Sequence, residues 1–162
     1  MKRLSLFLIC GWCGLALAAD DDITFHGTLV SPPACTISNG QTIEVDFHDL
    51  IIDNINGDYG RQTVNYELSC DASVRDSSWV MSLTWTGTET SYNDAAIETS
   101  VPGFGIELQQ NGQRFQLNTP LVINANDFTQ KPKLEAVPVK ANDAVLNDGP
   151  FSAYATLRVD YQ

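Results

Sequence analysis

The chain has 162 residues and is acidic, with 20 aspartates and glutamates against 9 lysines and arginines and a formal net charge of -11 at pH 7. Lys2 and Arg3 lie in the first 18 residues while every acidic residue follows, which leaves 7 basic against 20 acidic residues. That sign disfavours nucleic acid and anionic lipid as partners, because both are negatively charged. The length suits one domain with a sizeable hydrophobic core.

The first residues have the pattern of an export signal. Lys2 and Arg3 give a positive start, residues 4–17 are almost wholly apolar, and residues 16–18 form a small-x-small cleavage site. The apolar run is too short for a stable membrane span. The pattern predicts a signal peptide over residues 1–18 and an exported chain that begins at Ala19.

The four cysteines fall into two pairs. Cys10 and Cys13 have the C-x-x-C spacing of a redox motif, but an apolar signal core is the wrong context for one. Cys35 and Cys70 remain after the predicted cleavage, and in an oxidising compartment they are expected to form one disulfide. Closing a loop of about 35 residues would stabilise the fold by roughly 4 kcal/mol.

The segment that follows the signal alternates between apolar and polar residues, as a β-strand does. Three aspartates lead into it, and Ser31-Pro32-Pro33 block its continuation into the next strand. One face carries Ile23, Phe25, Gly27 and Leu29, and the other carries Thr24, His26 and Thr28. Two interpretations stay open here: the first edge strand of the domain, or an arm that leaves the domain and pairs elsewhere.

Short runs rich in β-branched and aromatic residues make up the rest of the chain. They lie at residues 34–38, 42–47, 63–70, 78–85, 104–109, 121–125 and 135–140. Turn signals fall between them at Asn39-Gly40, Asn56-Gly57, Thr86-Gly87, Pro102-Gly103, Asn111-Gly112 and Asn147-Asp148-Gly149. Apart from about one helical turn expected near residues 50–54, the pattern predicts an antiparallel β-sandwich of immunoglobulin type. The cysteine positions place the disulfide between neighbouring strands.

The last residues form a further predicted strand after the break at Gly149-Pro150. The set Phe151, Ala153, Ala155, Leu157, Val159 and Tyr161 alternates with Ser152, Tyr154, Thr156, Arg158 and Asp160. Such a strand at the end of the chain has nothing after it to pair with its free side. It is either the ordinary last strand of a closed sandwich or the edge of a groove that another strand covers.

Catalytic and metal-binding groups are scarce. His26 and His48 are the two histidines, and no nucleophile elbow, zinc-protease motif or phosphate-binding loop is present. Asp46, His48 and Asp49 could ligate a metal, and residues 53–58 weakly resemble a calcium loop, but solvated polar turns account better for both. The sequence predicts neither an enzyme nor a cofactor.

Three aromatic residues offer a sugar-stacking surface as an alternative. These are Trp79, Trp85 and Tyr92. Both tryptophans lie in a strand pattern, where packing in or near the core is the usual role.

Several of these features together resemble the pilins of the bacterial chaperone-usher family, and most of all the minor tip adaptors of P pili. The resemblance spans the whole exported chain. It rests on the start at Ala19-Asp20, Gly27 in the alternating arm, Pro33-Ala34-Cys35-Thr36, Cys70, Phe104-Gly105-Ile106-Glu107-Leu108, Gly149, and Tyr161 as the penultimate residue.

The resemblance implies an immunoglobulin-like sandwich that lacks its seventh strand. Residues 19–33 would then be an N-terminal donor-strand extension and residues 34–162 the pilin domain. Ile23, Phe25 and Leu29 would fill pockets in a neighbour's groove, and Gly27 would pass where the backbones come close. The chain's own groove would begin at Gly149 and be lined by Phe151, Ala153, Ala155, Leu157, Val159 and Tyr161, while the Gln162 carboxylate would meet basic residues of a chaperone.

The same resemblance implies partners and a location. The partners are a periplasmic pilus chaperone, an outer-membrane usher, neighbouring pilin subunits and a tip adhesin, and the chain would pass through the periplasm to a fimbria on the cell surface. The alternatives are a sugar-binding adhesin, and a major or terminating pilin subunit. Adhesins of the family carry a lectin domain before the pilin domain, for which this chain has no room.

Overall fold

The computed structural model describes residues 23–29, 31, 34–70, 80–123 and 131–161. The chain divides into two compact units, Met1–Val30 and Ser31–Gln162. In the first unit, residues 23–29 belong to no helix or strand, and the side chains of Ile23, Phe25 and Leu29 are exposed. The predicted signal peptide, with Cys10 and Cys13, lies outside the described residues.

Short strands build the second unit. They are β1 (Cys35–Ile37), β2 (Gln62–Thr63), β3 (Leu68–Cys70), β4 (Met81–Gly87), β5 (Glu89–Thr90), β6 (Asn93–Glu98), β7 (Phe104–Gln110), β8 (Gln113–Arg114), β9 (Leu121–Ile123), β10 (Leu134–Lys140) and β11 (Ala155–Tyr161). Two 3-10 turns, Ser38–Gly40 and Ile52–Asn54, are the only helical elements in the described part of the chain, and the second confirms the helical turn expected near residues 50–54. No helix there is long and apolar enough to span a membrane.

All strand pairs are antiparallel and fall into three sheets. The largest has the order β2-β10-β7-β6-β5, with β8 paired to β7. The second has the order β11-β4-β9, and the third joins β1 to β3. In the hairpin between β7 and β8, Asn111 and Gly112 have φ of 53° and 74°, which is the turn geometry that an Asn-Gly pair favours.

The core lies between the two larger sheets. Met81, Leu83 and Trp85 of β4 pack with residues of β6, β7 and β10, such as Ile97 and Ile106. Trp85 is 1% exposed, and its indole Nε1 donates to the carbonyl of Phe115 at 2.7 Å. A single buried layer between two antiparallel sheets is the arrangement of an immunoglobulin-like sandwich. The predicted fold class is confirmed.

A disulfide joins Cys35 to Cys70. The two residues lie directly opposite each other in the register of β1 and β3. The expected bond between neighbouring strands is therefore present. On the side of β4, Sγ of Cys70 lies 4.0 Å from the Met81 sulfur, so the bond borders the core.

The structure corrects four expectations about individual elements. Residues 42–47 belong to no sheet, residues 63–70 divide between two strands in different sheets, and residues 151–154 precede the last strand. The turn predicted at Thr86-Gly87 is wrong, because Gly87 ends β4. A Cβ on Gly87 would lie 2.6 Å from a methyl carbon of Ile97, so glycine allows the two sheets to approach closely at this point.

Three strands, β5, β6 and β8, were absent from the sequence-based assignment. Residues 89–98 are mostly polar and show no period-two alternation, which is the signal a half-buried strand normally gives. They form strands because Ala95, Ala96 and Ile97 are buried. Tertiary packing therefore decides the structure of this segment.

Candidate functional site: an open groove beside the last strand

A long groove with a volume of about 1590 Å³ runs along one edge of the sandwich. Its two walls are residues 40–53 and residues 146–157, and its floor consists of core residues. The floor includes Trp85, Ile97, Phe104 and Ile106, all of which are at most 6% exposed. The groove therefore opens directly onto the hydrophobic core.

The first wall has the sequence of a strand but no strand partner. Ile43, Val45 and Phe47 are half-buried and pack against the core, while Glu44 and Asp46 between them are exposed. Within the described residues, no backbone hydrogen bond joins residues 42–47 to another strand. The side chains therefore alternate between half-buried and exposed as in a strand, but no described strand pairs with this segment.

The second wall is β11 together with the residues before it. β11 pairs only with β4 among the described strands, in a register that runs from Ala155 opposite Gly87 to Tyr161 opposite Met81. Before β11, Ser100 N donates to the Ser152 carbonyl at 2.8 Å, and Ser152 N donates to Oγ of Ser100 at 3.0 Å. The other edge of β11 faces the groove.

The predicted groove residues are distributed unevenly along this wall. Gly149, Phe151, Ala153, Ala155 and Leu157 line the groove. Val159 and Tyr161 do not, although both are half-buried and pack against the core. Gln162 lies outside the described residues. The groove thus covers the first two-thirds of the predicted face.

Tyr161 closes the far end of the wall against the disulfide. Its hydroxyl lies 3.0 Å from Sγ of Cys35 and is the donor, because a disulfide sulfur carries no proton. Val159, two residues earlier, lies on the same face. This end of β11 therefore packs beside β1, and the groove begins where β1 ends.

Two phenylalanine rings bridge the groove near its other end. The centroid of Phe151 lies 5.9 Å from that of Phe47 on the opposite wall and 4.9 Å from that of Phe104 on the floor, edge to face. Such distances are typical of favourable aromatic pairs. Phe151 thus connects both walls and the floor.

The rim of the groove is acidic. Five carboxylates line it, and all five residues are exposed: Glu44, Asp46, Asp49, Asp53 and Asp148. Among the described lining residues there is no lysine or arginine. His48 lies beside one of these carboxylates, with its Nδ1 3.1 Å from Oδ2 of Asp46.

The shape and chemistry of the groove fit one additional β-strand. An extended chain between the walls could pair with β11 along residues 155–157, on the side away from β4, and place alternate apolar side chains on the core residues of the floor. An incomplete sandwich of this kind leaves both a hydrogen-bonding edge and an apolar surface uncovered.

The other sites considered from the sequence have structural explanations. Asp46 and His48 contact each other, but the described residues contain no group of three or more metal-ligating side chains. In the segment at residues 53–58, Oδ1 of Asn56 accepts hydrogen bonds from Asp58 N and Tyr59 N at 3.0 and 2.9 Å. Both segments are therefore polar turns in the structure.

The burial of Trp85 agrees with the core role that its strand pattern indicated, and not with the alternative of a sugar-stacking surface. Trp85 is buried in the core with its indole N–H bonded, so it presents no face to a sugar. Trp79 lies outside the described residues. Tyr92 is 36% exposed, with its hydroxyl 3.4 Å from the carbonyl of Val139.

Comparisons with known proteins agree with this geometry. A sequence profile described as fimbrial protein matches residues 23–162. The chain belongs to the fimbrial protein family. The fimbrial-like protein YfcQ of Escherichia coli strain K12 is 72% identical over 162 residues, which cover the whole of both chains. The minor fimbrial protein PrsF of Escherichia coli is 30% identical over 99% of each chain.

The solved structure of the P pilus adaptor subunit PapF is also similar. It aligns with a TM-score of 0.54 and 27% identity, over 81% of this chain and 97% of PapF. The chain is a pilin of the chaperone-usher class and a structural protein, not an enzyme. Proteins of this family are exported to the cell surface as fimbriae, and their partners are other pilin subunits, a chaperone and an usher.

Proposed function

We propose that this pilin is a minor tip adaptor that links an adhesin to the fimbrial fibre and polymerises by donor-strand exchange. The observation that carries the proposal is the groove, in which residues 155–157 of β11 border an apolar floor and pair with no described strand other than β4. The similarity to the P pilus adaptor subunit PapF and to the minor fimbrial protein PrsF supports the adaptor position.

In this proposal the segment at residues 19–33 is the donor extension and residues 34–162 are the pilin domain. Ile23, Phe25 and Leu29 enter the groove of the neighbouring subunit, and Gly27 lies where the two backbones approach most closely. The exposure of the three apolar side chains supports this role, since exposed large apolar residues in a row mark an interaction segment.

The groove of this subunit accepts a strand twice in succession. A periplasmic chaperone occupies it first, pairing with β11 from Gly149 onward, while the carboxylate of Gln162 contacts basic residues of the chaperone. The donor strand of another subunit then replaces the chaperone strand. Phe151, Ala153, Ala155 and Leu157 contact the inserted side chains in both complexes, and Val159 and Tyr161 hold the end of β11 against β1.

The energy available is large enough for a stable non-covalent fibre. Burial of three large apolar side chains contributes roughly 5 to 8 kcal/mol. About ten ladder hydrogen bonds contribute about 0.5 to 1.5 kcal/mol each. This sum offsets the cost of ordering one short segment.

Deletion of residues 19–30 tests the donor role. We expect the truncated chain to co-purify with its chaperone at the normal level, because the groove is intact, but to be absent from assembled fibres. The matched control replaces Thr24 and Thr28 on the polar face of the arm by serine, which should leave incorporation unchanged. Unimpaired incorporation of the truncated chain would contradict the proposal.

The location in the fibre tests the adaptor role separately. Immunogold labelling of a surface epitope, for example at the β7–β8 hairpin, should mark fibre tips. Labelling along the shaft would instead indicate a major subunit, and labelling at the base a terminating one.

A further inference from the structure

We propose that the groove takes its strand from a different protein whose donor segment carries lysine or arginine beside its apolar anchors, and that it rejects the arm of a second copy of this chain. The inference rests on the proposed function, because it names the chemistry of the strand that enters the same groove. It is carried by the charges of the rim and of the arm.

The rim is a negative surface whose carboxylates are not neutralised by any described lysine or arginine. Glu44, Asp46, Asp49 and Asp53 lie along one wall and Asp148 on the other, all exposed. Among the described residues, no lysine or arginine lies within salt-bridge distance of any of them. A cleft lined by one sign of charge attracts oppositely charged segments and repels those of its own sign.

The basic residues of the described chain are engaged elsewhere. Arg61 pairs with Asp58 and Glu135, and Arg114 with Glu107. Lys133 pairs with Glu135, Arg158 with Asp160, and Lys131 lies over the ring of Tyr66. Lys140 donates to the Ile52 carbonyl at 2.8 Å but does not line the groove. We therefore expect the positive charge that neutralises the rim to come from the donor segment of another protein.

The chain's own arm, residues 19–30, is acidic, whereas the acidic rim favours a basic segment. Asp20, Asp21 and Asp22 stand directly before Ile23, the first apolar anchor, and residues 19–30 contain no lysine or arginine. A second copy that inserted this arm would bring three carboxylates to a rim that already holds five. Repulsion of like charges opposes the approach at distances up to the Debye length, about 10 Å at 0.1 M salt.

The consequence is a limit on self-assembly. The apolar side chains of the arm alternate in the way that a strand in the groove requires, so they do not by themselves prevent one copy of this chain from binding another. The negative charges of the arm and of the rim oppose that binding. Rejection of a wrong partner by like charge is a common source of specificity between similar interfaces. If two copies cannot be adjacent in a fibre, the subunit cannot form a run of identical subunits. This agrees with a low-copy position.

Strand exchange with three synthetic peptides tests the inference on the full chain in complex with its chaperone. The peptides are residues 19–30 as they stand, the same peptide with Asp20→Asn, Asp21→Asn and Asp22→Asn, and a third with lysine at these three positions. At about 20 mM salt, where screening is weak, we expect the lysine peptide to enter at least about tenfold faster than the aspartate peptide, with the asparagine peptide between them. At about 0.5 M salt the three rates should agree within about twofold.

Two variants of the chain assign the effect to the rim. Glu44→Gln, Asp46→Asn and Asp49→Asn together should remove most of the preference at low salt, and asparagine at position 46 keeps an oxygen for the hydrogen bond from His48 N. Glu67→Gln, Glu89→Gln and Glu98→Gln remove the same charge at exposed positions outside the groove and should leave the preference intact. Equal reduction by both variants would overturn the inference.

The remaining outcomes separate the inference from the function on which it rests. Equal rates for all three peptides at low salt would overturn the charge selection and leave donor-strand exchange standing. Fastest entry of the chain's own aspartate peptide would do the same. If no peptide displaces the chaperone at either salt concentration, the proposed groove function itself fails, and the inference fails with it.

Discussion

Phe47 and Phe151 face each other across the groove with ring centroids 5.9 Å apart, although 104 positions of sequence separate them and no backbone hydrogen bond joins their segments. The contact holds the two walls together at one end, while at the other end Tyr161 packs against the disulfide. Between these two points the groove has an apolar floor and no strand.

Removal of the Phe151 ring should loosen the groove. Phe151→Ala deletes ring contacts with both Phe47 and Phe104, so we expect the free energy of unfolding to fall by about 2 to 3 kcal/mol, less than for a fully buried phenylalanine. Urea denaturation followed by tryptophan fluorescence measures the loss. Tyr154→Ala is the control, because Tyr154 is 85% exposed and its removal should change stability by less than about 0.5 kcal/mol.

A charge inside the groove should block strand addition. Leu157→Asp places a carboxylate on the groove face of β11, where an inserted strand would have to bury it, so co-purification with the chaperone should fall at least about tenfold. Val145→Asp is the matched control, because it adds the same carboxylate at a side chain that is 89% exposed and does not line the groove. Equal loss in both variants would contradict the assignment of the groove face.

Loss of the disulfide should destabilise the whole sandwich. Cys35→Ser with Cys70→Ser removes a link that spans 35 positions of sequence, and we expect a decrease of about 2 to 4 kcal/mol in the free energy of unfolding. The urea midpoint of the native chain should fall similarly when dithiothreitol is added. The serine variant serves as the control, since a reductant should leave its midpoint unchanged.

Alkaline pH should unfold the protein in part through Tyr66. Burial raises the pKa of Tyr66 to about 12, and its hydroxyl donates to the Pro132 carbonyl at 2.6 Å. A raised pKa in the folded state means that the stability is fully present below about pH 10 and is lost as pH rises towards 12, by roughly 2 to 3 kcal/mol at the upper end.

Comparison with Tyr66→Phe isolates this contribution. The variant should be less stable at neutral pH by about 1 kcal/mol, because the Pro132 carbonyl loses its donor. It should also show a smaller decline between about pH 10 and pH 12. Identical pH profiles of unfolding for the two proteins would show that another group is responsible.

Local patterns of residues predicted much of the fold and one wall of the groove. The short β-rich runs at residues 104–109 and 135–140 predicted β7 and β10, and Asn111-Gly112 predicted the turn between β7 and β8, because strand propensity and turn conformation depend on adjacent residues. The alternation of Phe151, Ala153, Ala155 and Leu157 likewise identified the face that lines the groove. Residues 42–47 of the other wall have the sequence pattern of an ordinary strand, and they differ from one only in that no described strand pairs with them.

The sequence by itself therefore determined the all-β class, the cysteine pair, the acidic charge and the two alternating segments at the ends of the chain. The tertiary structure alone decided which strands pair, where the polar residues 89–98 form strands, and that the space between residues 40–53 and β11 is open. The physical reason is that side-chain alternation is a local property of the chain, whereas pairing and burial depend on residues far apart in sequence that meet only in the folded protein.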